Sequence, residues 1–161
     1  DDNTNWYAYQ VGTGNYGMEI EAKSINNAFR PKVSNITLTR AAGTVTEGGS
    51  SANEFDAIQF KKEGNGEYTN VVISGYTTSN TTLTATAVRI QDKSTNDNQV
   101  TGGKIKMLNV KINDGTSQFA GVGTTFTVAF PTGNYTTSTT ATGATLTAGA
   151  WAIVDGVSLI K

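Results

Sequence analysis

Cysteine and histidine are both absent from the 161-residue chain. Their absence excludes disulfide bonds, thiol nucleophiles, imidazole bases and zinc sites built from Cys or His. Acidic and basic residues nearly balance, at 13 and 12, which leaves a formal charge of −1. That balance predicts neither a nucleic-acid surface nor attraction to an anionic membrane. No apolar run approaches the roughly 20 residues that a helix needs to cross a bilayer, so we expect no membrane span.

Helical periodicity is also missing. No stretch of about ten residues repeats apolar positions at i, i+3 and i+4, so little or no helix is expected. Thr, Asn, Gly and Ser are abundant, and β-branched and aromatic residues are spread along the chain, which favours strands. Cys-free chains of this composition and low charge are common among bacterial surface and secreted proteins. We therefore expect the protein to be secreted or at the cell surface.

One short sequence motif occurs three times, in residues 33–38, 68–73 and 107–112. Each copy has an Asn followed by an apolar, a variable and an apolar residue, and the interval is 35 residues from Asn35 to Asn70 and 39 from Asn70 to Asn109. Asn tolerates positive φ better than almost any other residue with a side chain, so it suits a one-residue corner. Stacked corners of this kind predict an asparagine ladder.

A second sequence motif alternates with the first along the chain. Residues 17–22, 56–61 and 86–91 repeat a small, apolar, polar, apolar order around Met18, Ile58 and Val88. Two strand types in fixed order, joined by loops of variable length, are typical of a solenoid whose identical strands stack in parallel. The sequence therefore predicts an all-β parallel solenoid over residues 1–113. A β-sandwich, which also uses short alternating strands, is the alternative.

The segments FDAIQFKKEGNG (55–66) and YTNVVISGY (68–76) carry a family resemblance. The Asn corner before a Val-x-Ile strand resembles the tight turn of right-handed parallel β-helices of the pectate-lyase-like class. The two segments are similar to the last coils of secreted β-helix proteins of Bacteroidetes-type bacteria. The resemblance covers about residues 15–113. It implies a right-handed β-helix and a chain that is the C-terminal part of a longer helix.

Residues 114–161 do not continue the two repeated motifs. Residues 124–130 alternate, a turn follows at 131–134, and residues 136–147 are nearly all Thr, Ser, Ala and Gly, which predicts a loop or a flat edge strand. An open solenoid end exposes apolar interior and unpaired strand edges. We therefore interpret 114–161 as a C-terminal β cap over the last coil, with Phe130 and Trp151 as apolar plugs.

Stacking predicts two polar columns on the outward face of the first strand type. In β-helix enzymes of the class that the chain resembles, polysaccharide sites lie on such a face. The alternative is that the columns are ordinary solvated charges on neighbouring strands. No two carboxylates are juxtaposed, which counts against glycoside hydrolysis, so no catalytic residue is assigned. The candidate ligand-binding residues are Glu19, Gln59 and Arg89 in one column and Lys61 and Gln91, beside Glu21, in the next.

No cofactor is predicted, and no metal ligands are assigned. The segment Asp92–Asn98 has two acids and several amides and hydroxyls, a set of oxygen ligands compatible with calcium. A polar loop without metal is the alternative.

Two functions are consistent with these features. The first is a non-catalytic extracellular or cell-surface protein with a structural or glycan-binding role, whose partner is a polysaccharide or another surface protein. The second is the C-terminal part of a polysaccharide lyase or glycoside hydrolase whose active coils lie upstream.

Overall fold

The computed structural model describes residues 2–10, 15–22, 24, 30–42, 56–76, 86–114, 117–121, 126–146 and 153–158. The strands in these ranges are β1 (Asp2–Gln10), β2 (Met18–Glu21), β3 (Lys32–Arg40), β4 (Ile58–Lys61), β5 (Gly66–Ser74), β6 (Thr86–Ile90), β7 (Ile105–Ile112), β8 (Ser117–Gly121), β9 (Tyr135–Thr137), β10 (Ile153–Val154) and β11 (Val157–Ser158). Between β6 and β7 lies a short helix, α1 (Lys93–Thr95), which runs directly into a π-helical turn (Asn96–Val100).

Nine of these strands form two parallel sheets. One sheet has the order β1-β3-β5-β7-β9 and the other β2-β4-β6-β8, and every pairing within them is parallel. Because spatial neighbours are alternate strands in the chain, the backbone passes from one sheet to the other and back in every coil. The predicted all-β parallel β-helix is thus confirmed. The β-sandwich alternative is wrong, since it requires antiparallel sheets.

The described part of the chain contains one short helical segment, in agreement with the expectation of little helix. Residues 93–100 form a helical segment that begins at Asp92, whose Oδ1 accepts a hydrogen bond from Thr95 N at 2.8 Å. Such an N-cap satisfies a backbone donor that the first helical turn leaves unpaired. The segment is too short to produce an apolar period, so a pattern search does not detect it. No helix among the described residues is long and apolar enough to cross a membrane.

Each of β3, β5 and β7 bends at its Asn. Asn35, Asn70 and Asn109 have φ values of 57°, 58° and 55°, which lie in the left-handed region that Asn tolerates. The register pairs the residues on both sides of each Asn, so the three corners stack. Asn70 Nδ2 donates to Asn35 Oδ1 at 2.7 Å, which is the coil-to-coil contact expected of an asparagine ladder.

The core consists of apolar columns that run along the helix. Strand residues alternate between the interior and the outside, and the parallel register places equivalent residues above one another. The interior columns are Ile36–Val71–Val110 and Leu38–Ile73–Ile112 in one sheet, and Met18–Ile58–Val88 and Ile20–Phe60–Ile90 in the other. Most of these side chains are completely buried.

The sheets continue beyond residue 113. Strand β8 pairs with β6 and β9 pairs with β7, and three aromatic rings, Phe119, Phe130 and Tyr135, contact one another with centroids 5.0–5.3 Å apart. Phe130 packs against the core, and Val128 is 8% exposed. Trp151, the other predicted plug, lies outside the described residues. The proposed boundary between residues 113 and 114 stays a prediction.

Residues 138–146 form a strap along the corner side of the helix. Ser138 N donates to Val110 O on β7, and Thr142 N donates to Asn70 Oδ1 on β5. Ala144 N then donates to Thr37 Oγ1 on β3, and Thr145 N to Asn5 Oδ1 on β1. The strap therefore contacts four strands of one sheet in succession and is a loop without regular strand structure.

Candidate functional site

The first predicted column lies on the outward face of the β2-β4-β6-β8 sheet, where its residues are in register. Glu19 pairs in register with Gln59, and Gln59 with Arg89. Gln91 lies just beyond β6, where its Oε1 accepts a hydrogen bond from Gln59 Nε2 at 2.5 Å. The predicted residues are therefore neighbours, but they differ in how far a ligand can reach them.

Gln59 is almost inaccessible, with 3% of its surface exposed. Its Nε2 donates to Gln91 Oε1 and also to Tyr16 Oη, at 2.6 Å. Both amide hydrogens are thus used by neighbouring side chains. In this position Gln59 links three chain segments and has little surface left for a ligand.

Arg89 belongs to a buried ion pair. Its Nε and Nη2 donate to the two carboxylate oxygens of Asp56, at 2.8 and 3.0 Å, and its Nη1 donates to Gly121 O at 3.0 Å. Asp56 is completely buried and also accepts hydrogen bonds from Thr86 N and Thr86 Oγ1. A bidentate pair of this kind fixes both side chains, so Arg89 joins adjacent coils to one another.

A cluster of four charges, three exposed and one partly buried, lies at the end of β2 and β4. Lys61 Nζ is 2.6 Å from Glu19 Oε1 and 3.7 Å from Glu21 Oε2, and Lys62 Nζ is 3.1 Å from Glu21 Oε2. The hydrogen bond with Glu19 raises the pKa of Lys61, and the hydrogen bond with Lys62 lowers the pKa of Glu21. Lys61 and Glu21 therefore remain charged at neutral pH.

The turn after β4 is held by the coil that follows. Lys62 and Glu63 have φ values of 47° and 67°, so the chain reverses tightly here. Lys62 N donates to Asp92 Oδ2 at 3.0 Å, and Glu63 N donates to Thr95 Oγ1 at 2.9 Å. The helical segment thus lies against the turn and satisfies its backbone donors.

Glu63 is held by three side-chain donors from the next coil. It accepts hydrogen bonds from Ser94 Oγ, from Asn98 Nδ2 at 3.1 Å and from Gln99 Nε2 at 2.7 Å. Burial acts to raise the pKa of Glu63, but the hydrogen bonds from Ser94, Gln99 and Asn98 together lower it below the ordinary value. Glu63 is therefore a fixed anion whose position is set by donors from the next coil.

These groups border an open groove of about 860 Å³, which we call the turn groove. Its lining combines the exposed end of the charge cluster with the turn and the helical segment: Glu21, Ala22, Ser24, Lys62, Glu63, Ser94 and Asn98. None of the five candidate ligand-binding residues is in this lining, although Lys61 is bonded to Glu21 beside it. Sequence reasoning missed Glu63, Ser94 and Asn98, because they meet only when a turn of one coil contacts a helical segment of the next.

Calcium at residues 92–98 stays a prediction. Asp92 serves as the N-cap and also accepts from Lys62 N, while Asp97 pairs with Lys93 on the exposed surface. The two acids are thus engaged by protein donors. Within the part of the chain that the structure describes, no three His, Cys, Asp or Glu side chains are grouped as a metal site.

Comparison with known proteins gives one match. The family model described as a pectate-lyase-like β-helix domain matches residues 1–154. No curated protein and no solved structure matches the chain.

Proposed function

Because the chain belongs to the pectate-lyase-like β-helix family, we propose that it is an extracellular protein that binds a glycan in the turn groove without cleaving it. The family is one of carbohydrate-related proteins. The observation that carries the proposal is the groove itself, whose polar lining is held in place by hydrogen bonds between two coils.

The chemistry of the groove suits the hydroxyl groups of a sugar, which both donate and accept hydrogen bonds. Lys62 is an exposed donor, Glu21 and Glu63 are acceptors, and Ser94 Oγ, whose proton is donated to Glu63, can also accept. Because contacts within the protein already order several of these side chains, little conformational entropy is lost on binding. Two carboxylates and one lysine give the lining a slight negative charge, which favours a neutral glycan over an acidic one.

The state of the charged groups supports binding rather than catalysis. A glycosidase needs a carboxylic acid whose pKa is raised, so that it carries a proton to the leaving group. A lyase needs a base that is deprotonated when it meets the substrate. The pKa values of Glu21 and Glu63 in the groove are lowered, and the pKa of Lys61 beside it is raised. These shifts are opposite to those that a glycosidase acid and a lyase base require.

The test begins with a glycan array probed with the intact protein, followed by calorimetry on a neutral glycan that it retains. Lys62→Ala is expected to weaken the binding of that glycan by about tenfold or more, because one hydrogen bond to a charged group is lost. Lys93→Ala is the matched control, since Lys93 is also an exposed lysine paired with a carboxylate, at 64% exposure against 67%, but lies outside the groove lining. Equal affinities of the two variants, or no binding by the intact protein, would contradict the proposal; the latter result would favour a purely structural role.

The alternative is that the chain is the C-terminal part of a polysaccharide lyase or hydrolase with its active coils upstream, which the family match favours. Incubation with a panel of uronate polysaccharides distinguishes the two, because a lyase creates unsaturated ends that absorb in the ultraviolet. We expect no increase in ultraviolet absorbance and no increase in the number of reducing ends. Either product would show that the protein is an enzyme.

A further inference from the structure

A second cavity, of about 260 Å³, lies where β3, β5 and β7 begin, and we call it the cationic cavity. Its lining contains four basic residues, one acid and two glycines: Arg30, Lys32, Lys104, Lys106, Glu67, Gly66 and Gly103. We propose that the cationic cavity binds a tetrahedral oxyanion with about two negative charges, the phosphate group of a ligand that is separate from the glycan of the turn groove.

The register explains why these cations meet. Lys32 pairs with Glu67, and Glu67 with Lys106, so three charged side chains form one outward column. Arg30 and Lys104 each lie two residues before a member of that column and therefore have the same orientation along an extended chain. The cations come from two coils that are separated by one strand, a distance of roughly 10 Å. An anion placed between them meets positive charge from both sides.

The charges in the cavity are not balanced. Glu67 Oε2 is 3.3 Å from Lys106 Nζ, so these two groups neutralise each other. No described carboxylate lies within ion-pair distance of Arg30, Lys32 or Lys104. Three positive charges therefore surround one small cavity in a chain whose formal charge is −1.

The size of the charge excess indicates the class of ligand. A carboxylate carries one negative charge, whereas a phosphate group carries a charge of about −1.5 to −2 at neutral pH. Arg forms paired hydrogen bonds with phosphate oxygens, and Lys binds phosphate as a point charge. A dianion with several oxygens can contact Arg30, Lys32 and Lys104 at once, which a single carboxylate cannot.

Gly66 contributes backbone to the lining of the cavity. Its φ of +136° is a conformation that residues with a side chain rarely adopt, and a Cβ there would lie 2.7 Å from Pro31 O and 2.9 Å from Tyr68 Oη. The backbone at this point is fixed, because Gly66 N donates to Lys104 O and Glu67 N donates to Pro31 O. The strand that separates the two groups of cations therefore has a fixed backbone beside the cavity, and position 66 requires glycine.

The experiment measures binding of inorganic phosphate, inorganic sulfate and acetate to the intact protein, by calorimetry and by the shift in melting temperature at constant ionic strength. We expect saturable binding of phosphate and sulfate and none of acetate. The double variant Lys32→Gln/Lys104→Gln should weaken phosphate binding on the order of tenfold or more, since two of three unpaired charges are lost. Lys111→Gln is the matched control, because Lys111 is a β7 lysine outside the cavity lining.

A hexose 6-phosphate distinguishes the source of the oxyanion. Binding at least as tight as that of inorganic phosphate identifies a phosphorylated ligand, and binding of inorganic phosphate alone identifies the free ion; both support the site. The proposal is wrong if acetate binds as well as phosphate, if no anion binds, or if the double variant, shown to be folded by circular dichroism, binds like Lys111→Gln. Lys62→Ala does not alter this cavity, so the result is independent of the turn groove.

Discussion

At the scale of single residues, the surroundings of each carboxylate determine what it does. Asp56 is completely buried and forms a bidentate pair with Arg89. Glu21 is 47% exposed and pairs with lysines at the surface. Among the residues that the structure describes, Glu63 has no ion-pair partner, but it accepts three side-chain hydrogen bonds. The three acids are alike in the sequence, and only their contacts assign them to the core, the charge cluster and the turn groove.

Glu63 is expected to make the free energy of unfolding depend on pH. Because its folded-state pKa lies below the ordinary value of 4.5, the unfolded chain binds protons first as the pH falls. The stabilisation is complete above that value and is lost as the pH falls through the folded-state pKa. Glu63→Gln should therefore reduce the free energy of unfolding at pH 7 by about 1–3 kcal/mol, and the difference from the wild type should shrink below about pH 4.

Urea unfolding of both proteins at neutral and acidic pH measures this difference. Glu21, Asp92 and Asp97 also have lowered pKa values, but they are present in both proteins and largely cancel in the comparison. A difference that stays constant across the acidic range would show that the charge of Glu63 is not what stabilises the turn.

At the scale of elements, the strap (residues 138–146) changes the meaning of the asparagine corner. Asn70 Oδ1 accepts hydrogen bonds from Thr142 N and Gly143 N, at 2.8 and 3.2 Å, while Asn70 Nδ2 donates to Asn35 Oδ1. The ladder thus bends the strand and also binds the strap. A β corner that would otherwise expose its polar groups to solvent is covered by the chain's own backbone.

Gly143 is the point at which the strap comes closest to the strands. It has a φ of +68°, and a Cβ there would lie 2.2 Å from Thr37 Oγ1 and 3.0 Å from Ile36 O. Gly143→Ala should lower the free energy of unfolding by about 2–4 kcal/mol, through backbone strain and displacement of the strap. Gly133→Ala is the matched control, since Gly133 also has positive φ, at +84°, but no atom lies within 4 Å of the added Cβ. It should cost only about 1–2 kcal/mol of strain. Equal losses in urea denaturation would argue against a tightly packed strap.

At the scale of the whole molecule, stability comes from stacking each coil on its neighbours. Solenoids of this kind bury their interior between adjacent repeats, so a residue in a central coil has contacts on both sides. Ile73 lies between Leu38 and Ile112 in one interior column and is completely buried. Ile112, in the next coil, is only partly buried.

Ile73→Ala is therefore expected to lower the free energy of unfolding by about 2–5 kcal/mol, because the cavity it leaves lies between two coils. Ile112→Ala removes the same atoms from a less buried site and should cost clearly less. Chemical denaturation of the two variants makes the comparison. If they lose the same free energy, the depth of a residue in the stack is not what sets its contribution.

The sequence by itself determined the coil. The Asn corners and the apolar alternation depend on properties of single residues, namely tolerance of positive φ and the two-residue period of a strand, and recurrence then placed equivalent strands above one another. From the same information the outward order Glu19, Gln59, Arg89 follows, and the structure has that register.

Only the tertiary structure decided which polar groups are available. Gln59 and Arg89 occupy outward positions but are held by Tyr16 and Asp56, whereas the turn groove forms where the turn of one coil meets the helical segment of the next. The physical reason is that these contacts join residues about one coil apart through turns of unequal length, and no local period records how such turns pack. The repeat specified the path of the backbone, and the irregular connections between repeats determined which polar side chains are available to a ligand.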